Sequence, residues 1–255
     1  MKLFSRTFSL LLQRLVLLAI FLFAWWQGSL HLPTFVLPSP SSTLQALLSL
    51  WQGETLLHDI KVTFGRVVSG FVLAALVGTV FGLVLGASQR VARFCEPLLA
   101  VFNTVSSAIW AIFAIIWFGI SDATTIFVVF MTAMPLILTN VWQGAQNVEA
   151  QYVELAHSFR MNRWQTLHKI YLPTIMPYFF SGARLAFGFG WRVSLVAETL
   201  GSSDGIGYRL RQAGDLVQTS QVFAWTLLLV SLMLLLEGGL LKPLERHLFR
   251  WKKRS

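Results

Sequence analysis

AQYVELAHSFRMNRWQTLHKIYLP, residues 150–173, is a polar island between two apolar stretches, each long enough to cross a bilayer. Tyr152, Leu155, Ala156 and Phe159 recur at helical spacing with Gln151, Glu154 and Ser158 between them, which predicts a short amphipathic helix. Met161 and Asn162 break the pattern. Trp164, Leu167, His168 and Ile170 to Leu172 begin a second short helix, which Pro173 is expected to end. Two short helices at an angle, with an apolar ridge and basic flanks, make a surface shaped to enter a groove on another protein. Periodicity alone equally allows a helix lying flat on lipid headgroups.

The flanks of this island decide the class of protein. Val67 to Gln89, Pro97 to Ser121, Ala123 to Val148 and Leu216 to Leu236 contain no Asp, Glu, Lys or Arg. Each reaches the roughly 20 residues with which a helix crosses about 30 Å of hydrocarbon. At 55% hydrophobic and 12% charged residues, the chain has more apolar surface than a water-soluble core of this size can hide, so it belongs in a bilayer.

The net charge of +9 would suit nucleic acid, but its placement says otherwise. Lys2, Arg6, Arg14, Arg90, Arg93, Arg160, Arg163, Lys169 and the basic residues from Lys242 to Arg254 all flank apolar spans on one side, if six helices alternate from an inside N-terminus. Only Lys61, Arg66, Arg209 and Arg211 then fall on the other side. This is the positive-inside bias of a multi-pass membrane protein. It predicts a cytoplasmic 150–173 island and cytoplasmic termini, with membrane lipid rather than nucleic acid around the chain.

Bond chemistry has little to work with. Cys95 stands alone, the histidines are scattered without an HExxH pattern, and neither a zinc spacing nor a catalytic set emerges. No GxxxxGK[ST] loop occurs, so any ATP and its Mg²⁺ must be bound by another chain.

Along the chain, an apolar stretch from about Leu10 to Trp26 has no small-x-small cleavage site after it and reads as the first helix rather than a signal peptide. Between His31 and Lys61, Ser41 or Ser42 is expected to cap a short amphipathic helix ending near Trp51. Gly70, Ala74, Gly78, Gly82 and Gly86 recur every fourth residue, a ridge that permits close backbone approach where lipid offers no hydrophobic drive for association. Glu96-Pro97 is expected to start the third span, which carries Asn103, Ser106 and Ser107 in its apolar run, and Ser121 or Asp122 to cap the fourth, kinked at Pro135. The fifth, Thr174 to Leu200, carries Arg184, Arg192 and Glu198 at membrane depth, where ionisable groups are costly and usually face a bundle interior or a water-filled path. Arg184 is expected to snorkel to the inner interface. Arg192, beside Trp191, either lines a pathway or pairs with a neighbouring helix. Gly182, Ala186, Gly190, Ser194 and Glu198 form a second every-fourth-residue row.

Several of these segments carry a family likeness. Glu154, Leu155, Ala156, then position 160, then Ile170, Leu172 and Pro173 stand at the spacing of the EAA motif, with Leu155 for an Ala and Arg160 for the usual Gly. Trp117-Phe118-Gly119, Trp191-Arg192 through Ala197-Glu198, the Gly205-Ile206-Gly207-Tyr208 turn and the Leu244-Glu245-Arg246 tail add to it. Together they resemble the transmembrane permease subunit of ABC importers, nearest the nitrate/sulfonate/taurine branch. The family's Pro early in the third span is replaced here by Ser107 or Ala108.

The resemblance implies an all-α, six-helix type I importer (MetI-like) fold over 1–255, with 144–173 as a cytoplasmic coupling segment. It implies a subunit without catalysis of its own in the bacterial inner membrane. The expected partners are a cytoplasmic ATPase dimer that binds ATP and Mg²⁺, an outer substrate-binding protein, periplasmic or lipid-anchored, and a second permease copy. Docking is expected through Glu154, Leu155, Ala156, Phe159, Arg160, Trp164, Ile170, Leu172 and Pro173. Arg160 in the Gly position puts the usual turn between the two helices in question. Asn103, Ser107, Trp191, Arg192 and Glu198 are the candidates for the solute pathway, with Glu198 carried over as gate or pathway-proximal. The solute is expected to be a small anion such as nitrate, bicarbonate or a sulfonate. A neutral or cationic vitamin precursor carried by the same importer class and a passive channel or carrier are the alternatives.

Overall fold

The computed structural model describes residues 2–241, and these are helical with no strand among them. The tail motif from Leu244 onward lies outside the described residues. In order, the helices are α1 Lys2–His31, α2 Pro40–Gln52, α3 Leu56–Ala87, α4 Gln89–Thr104, α5 Ser107–Phe118, α6 Asp122–Gln146, α7 Ala150–Ser158, α8 Arg163–Thr166, α9 Leu172–Gly201, α10 Ile206–Asp215 and α11 Thr219–Leu236, with π-helical turns at Leu167–Tyr171 and Glu237–Leu241. Among the described residues, Leu56–Ala87, Asp122–Gln146 and Thr219–Gly239 are each long and apolar enough to cross a membrane, and α4 with α5 qualifies as one span broken by a 92° bend. Leu15–His31 is a shorter apolar helix, and α9 has the length, at 30 residues, but carries three ionisable side chains.

The chain forms two compact units, one from 2–56 with 209–230 and the other from 57–208 with 231–241 over the described residues. In the first, the Trp25 indole donates to the Pro38 carbonyl at 3.0 Å and its ring lies 5.8 Å from that of Phe223. Helix α2 is capped by Ser39, two or three residues earlier than expected, because Pro40 suits the first helical position, where no N–H partner is needed. The Ser39 hydroxyl accepts the Ser42 amide at 3.2 Å.

The second unit is organised on α6 packed antiparallel to α9. Small residues of α9 meet α6 in reverse order: Gly201 at Thr124, Gly190 at Val129 and Gly182 at Asn140, while Gly144 of α6 sits under Tyr178. The ridge on α3 closes on the same helix. A methyl group at Gly70 would stand 2.8 Å from the Val129 Cβ, and one at Gly82 2.8 Å from that of Val141, so these glycines are contact points between backbones. Ala74, Ile137, Leu138, Val141 and Ala186 form the buried core where α3, α6 and α9 meet.

Two expectations for the spans are corrected. The second span, whose charge-free run starts at Val67, is a helix from Leu56, so Lys61 and Arg66, expected on the outer side, lie within α3; its polar first turns are held by partners described below. The third span begins at Gln89, capped by Ser88, with Pro97 inside it, and it breaks at Val105–Ser106. The break stands because the polar residues there hold themselves. The Asn103 amide donates to the Leu99 carbonyl at 3.0 Å, Thr104 to Ala100 at 2.7 Å, and the Ser106 hydroxyl caps α5 by accepting the Ala108 amide.

Candidate functional site

One end of the second unit is tied by a clasp around Glu198. Asp59, Thr63, Arg66 and Gly70 share one face of α3 at helical spacing, so the polar residues continue the line of the small-residue ridge. Glu198, fully buried on α9, accepts Arg66 Nη1 on Oε1 at 3.1 Å, and the Thr63 hydroxyl at 3.0 Å and the Gly207 amide at 2.9 Å on Oε2. The Asp59 carboxylate accepts the Gly205 amide at 3.0 Å, and the Thr63 Oγ1 accepts the Ile206 amide at 2.9 Å. Arg66 spends its remaining donors on Asp122 at the start of α6, through Nε at 2.7 Å, on the Asp204 carbonyl at 2.9 Å and on the Asp204 carboxylate.

The 202–208 turn folds down onto the carboxylate because Gly205 takes φ +95° and because a side-chain carbon at Gly205 or Gly207 would meet Glu198 itself. Glu198 is compensated by Arg66, Asp122 and Asp204 keep access to water, and the fully buried Asp59 carboxylate has the Gly205 amide on it. With both oxygens engaged, this carboxylate holds helices together rather than presenting itself to a ligand.

At the opposite end of the α6–α9 pair stands the 150–173 foot. Arg160 takes φ +50°, the left-handed conformation that glycine favours, and the Met161 amide reaches back to the Ala156 carbonyl at 2.9 Å, which is a Schellman closure of α7. The turn geometry in question at this position is therefore adopted with Arg in place. Asn162 and Gln165 cap α8 reciprocally, each side chain accepting the other residue's amide, at 2.8 and 3.0 Å.

Pro173 does not end the second short helix. The path runs through the π turn, with the Leu172 amide on the Leu167 carbonyl, straight into α9. Widening the helix here lets a proline ring sit where a regular α-turn would bring it against the carbonyl four residues back. On the foot, Ala156 is buried, Ile170 and Leu172 are half-buried, and Glu154, Leu155, Arg160 and Pro173 are exposed. Phe159 and Trp164 are 69% and 75% exposed, unusually open for such large rings.

The pathway candidates do not converge on one place. Trp191 and Arg192 line a cavity of about 510 Å³ between α9 and residues 233–237, together with Ser181, Arg184 and Glu237. Arg184 pairs with Glu237 at 3.2 Å instead of extending past the helix end. Asn103 and Ser107 sit at the α4–α5 break and Glu198 in the clasp, and none of the three lines this cavity. Arg66, Asp122 and Asp204 were missed as functional residues, although Asp59, Thr63 and Arg66 on one face of an apolar helix was a legible signal.

Among the described residues there are helices and no strand, several long enough to span a membrane, with an exposed two-helix foot and glycine-lined helix contacts, and the profile of the binding-protein-dependent transport system inner membrane components matches residues 74–241. The chain belongs to that family, as a permease subunit of an ABC importer. Among its relatives, the taurine transport system permease protein TauC of Escherichia coli is 27% identical over 242 residues, 92% of this chain and 87% of that protein. The nitrate import permease protein NrtB of Leptolyngbya laminosa is 30% identical over 169 residues, 66% of this chain and 61% of that one. In fold, the chain is similar to an inward-facing structure of the MetNI methionine ABC transporter, with TM-score 0.65 and 19% identity over 75% of this chain and 95% of that one.

Proposed function

We propose that this permease carries a small oxyanion inward, driven by a separate ATPase chain that binds ATP and Mg²⁺ and docks on the 150–173 foot. The observation that carries the reading is the foot itself. Phe159 and Trp164 stand out in the open on two capped, rigidly turned helices, and Leu155 extends the same apolar ridge beside Glu154. Exposed rings on a braced support suit insertion into a protein groove. The positive-inside bias supports a cytoplasmic foot and cytoplasmic termini.

Two copies would give each ATPase of a pair one foot, and a binding protein on the outer side would deliver the solute. The names of TauC and NrtB, a taurine and a nitrate permease, support the anion class. In this scheme the Glu198 clasp works as the outer gate, Trp191 and Arg192 line the path, and Asn103 and Ser107 border it at the α4–α5 break. The chain contributes differential stabilisation of two packed states rather than bond chemistry.

The test is co-purification. Glu154→Lys is expected to lose the ATPase partner, or to uncouple its hydrolysis from uptake, while the permease keeps its thermal transition. Partner recovery and coupled hydrolysis equal to wild type would overturn the docking assignment.

A further inference from the structure

We propose that the cavity beside Arg192 is a selective oxyanion subsite of the permease itself, so that part of the importer's choice of solute is made inside this chain. The inference rests on the anion reading above. Its charge balance carries it. Arg184 and Glu237 at the cavity neutralise each other, and Arg192 has no acidic partner among the described residues, which leaves the cavity one net positive charge. The ring of Trp191, a residue 1% exposed, backs the same cavity, with its indole N–H buried away from the open space. Ser181 adds a hydroxyl, and Phe187, Phe189 and Met233 supply apolar wall.

Arg192 is also exposed about 13 Å along the axis from the end of α9 at Gly201. A guanidinium that far inside a membrane-length helix is costly to place against hydrocarbon, which favours water or a partner group on this side of α9. A cationic fork and a hydroxyl free to rotate and donate, with Glu237 already paired, suit a ligand that only accepts hydrogen bonds and has several oxygens: nitrate, or the sulfonate group of a small organic acid.

The experiment uses the whole importer, permease with ATPase and binding protein, in cells lacking other uptake routes. Uptake of labelled nitrate, taurine and methanesulfonate is measured per assembled complex. For the anion carried by the wild type, Arg192→Gln is expected to lower maximal uptake about tenfold or more, and Arg192→Lys to restore much of it. Ser181→Ala, which removes the hydroxyl lining the cavity from an exposed position, is expected to change the ratio between the anions carried by about threefold. Uptake per complex unchanged in Arg192→Gln would overturn the subsite while leaving the anion reading intact, and so would a loss explained wholly by fewer assembled complexes. If Arg192→Gln fails to assemble at all, an unchanged ratio in Ser181→Ala overturns it. A wild type that carries none of the three anions overturns both the reading and the subsite.

Discussion

Arg66 and Glu198, 132 positions apart in sequence, meet at 3.1 Å in the buried end of the helical unit, with the Thr63 hydroxyl and the Gly207 amide completing the carboxylate's contacts. Removing one member of such a pair leaves the other desolvated and uncompensated, which costs about 3–5 kcal/mol. Glu198→Ala and Arg66→Ala are each expected to lower the thermal transition of the purified permease sharply. Arg66→Ala combined with Glu198→Ala should lose less than the sum of the single changes. Strict additivity in that double-mutant cycle would show that the two side chains are not coupled.

Gly205 and Gly214 should respond to the same substitution with opposite signs. At Gly205, φ is +95° and an added Cβ would lie 2.8 Å from the Glu198 Oε1, so Gly205→Ala is expected to destabilise by about 1–3 kcal/mol. Nothing lies within 4 Å of a Cβ at Gly214, inside α10, so Gly214→Ala is expected to stabilise by about 0.5–1 kcal/mol. Paired melting curves check both.

Arg160 holds a left-handed backbone that costs a side-chain-bearing residue about 1–2 kcal/mol. Arg160→Gly is expected to recover roughly that amount and Arg160→Val to lose more. The readout is amide-exchange protection across 150–166, because the change acts on the foot and not on the bundle.

The α3 ridge can be tested at two glycines on different sides of the helix. Gly82→Val would overpack against Val141, with an expected loss of about 1–3 kcal/mol, whereas Gly65→Ala meets nothing within 4 Å and should be neutral or mildly stabilising. Equal melting temperatures for the two variants would mean that α3 does not pack on α6 through this row.

The sequence made the repeating features legible. The small-residue rows on α3 and α9 could be read as contacts because a fourfold period survives any change of partner, and the EAA spacing marked the foot because it is local. The partner helix, α6, could not be read, since an every-fourth-residue row says that something approaches without saying what. The clasp was only half visible. Glu198 stood out as a charge at membrane depth, but Arg66 lay just outside the charge-free run, on the expected outer side. What makes it interior is Asp122, Asp204 and the 202–208 turn, all distant in sequence. Pro173 misled for a related reason: a proline stops a regular α-helix, and nothing local announces the π turn that accommodates it.

That π turn means the connection between foot and bundle is one residue longer than an ordinary helix would require. Deleting a single residue within 167–171, together with Pro173→Ala to remove the ring that the wide turn accommodates, would therefore revert the joint to plain α-helix and leave the foot aimed as before. The same deletion two turns later, inside α9, would swivel the foot by about 100° against the bundle. Pull-down of the ATPase separates the two: the first shortened chain should still bring its partner down, and the second should come down alone.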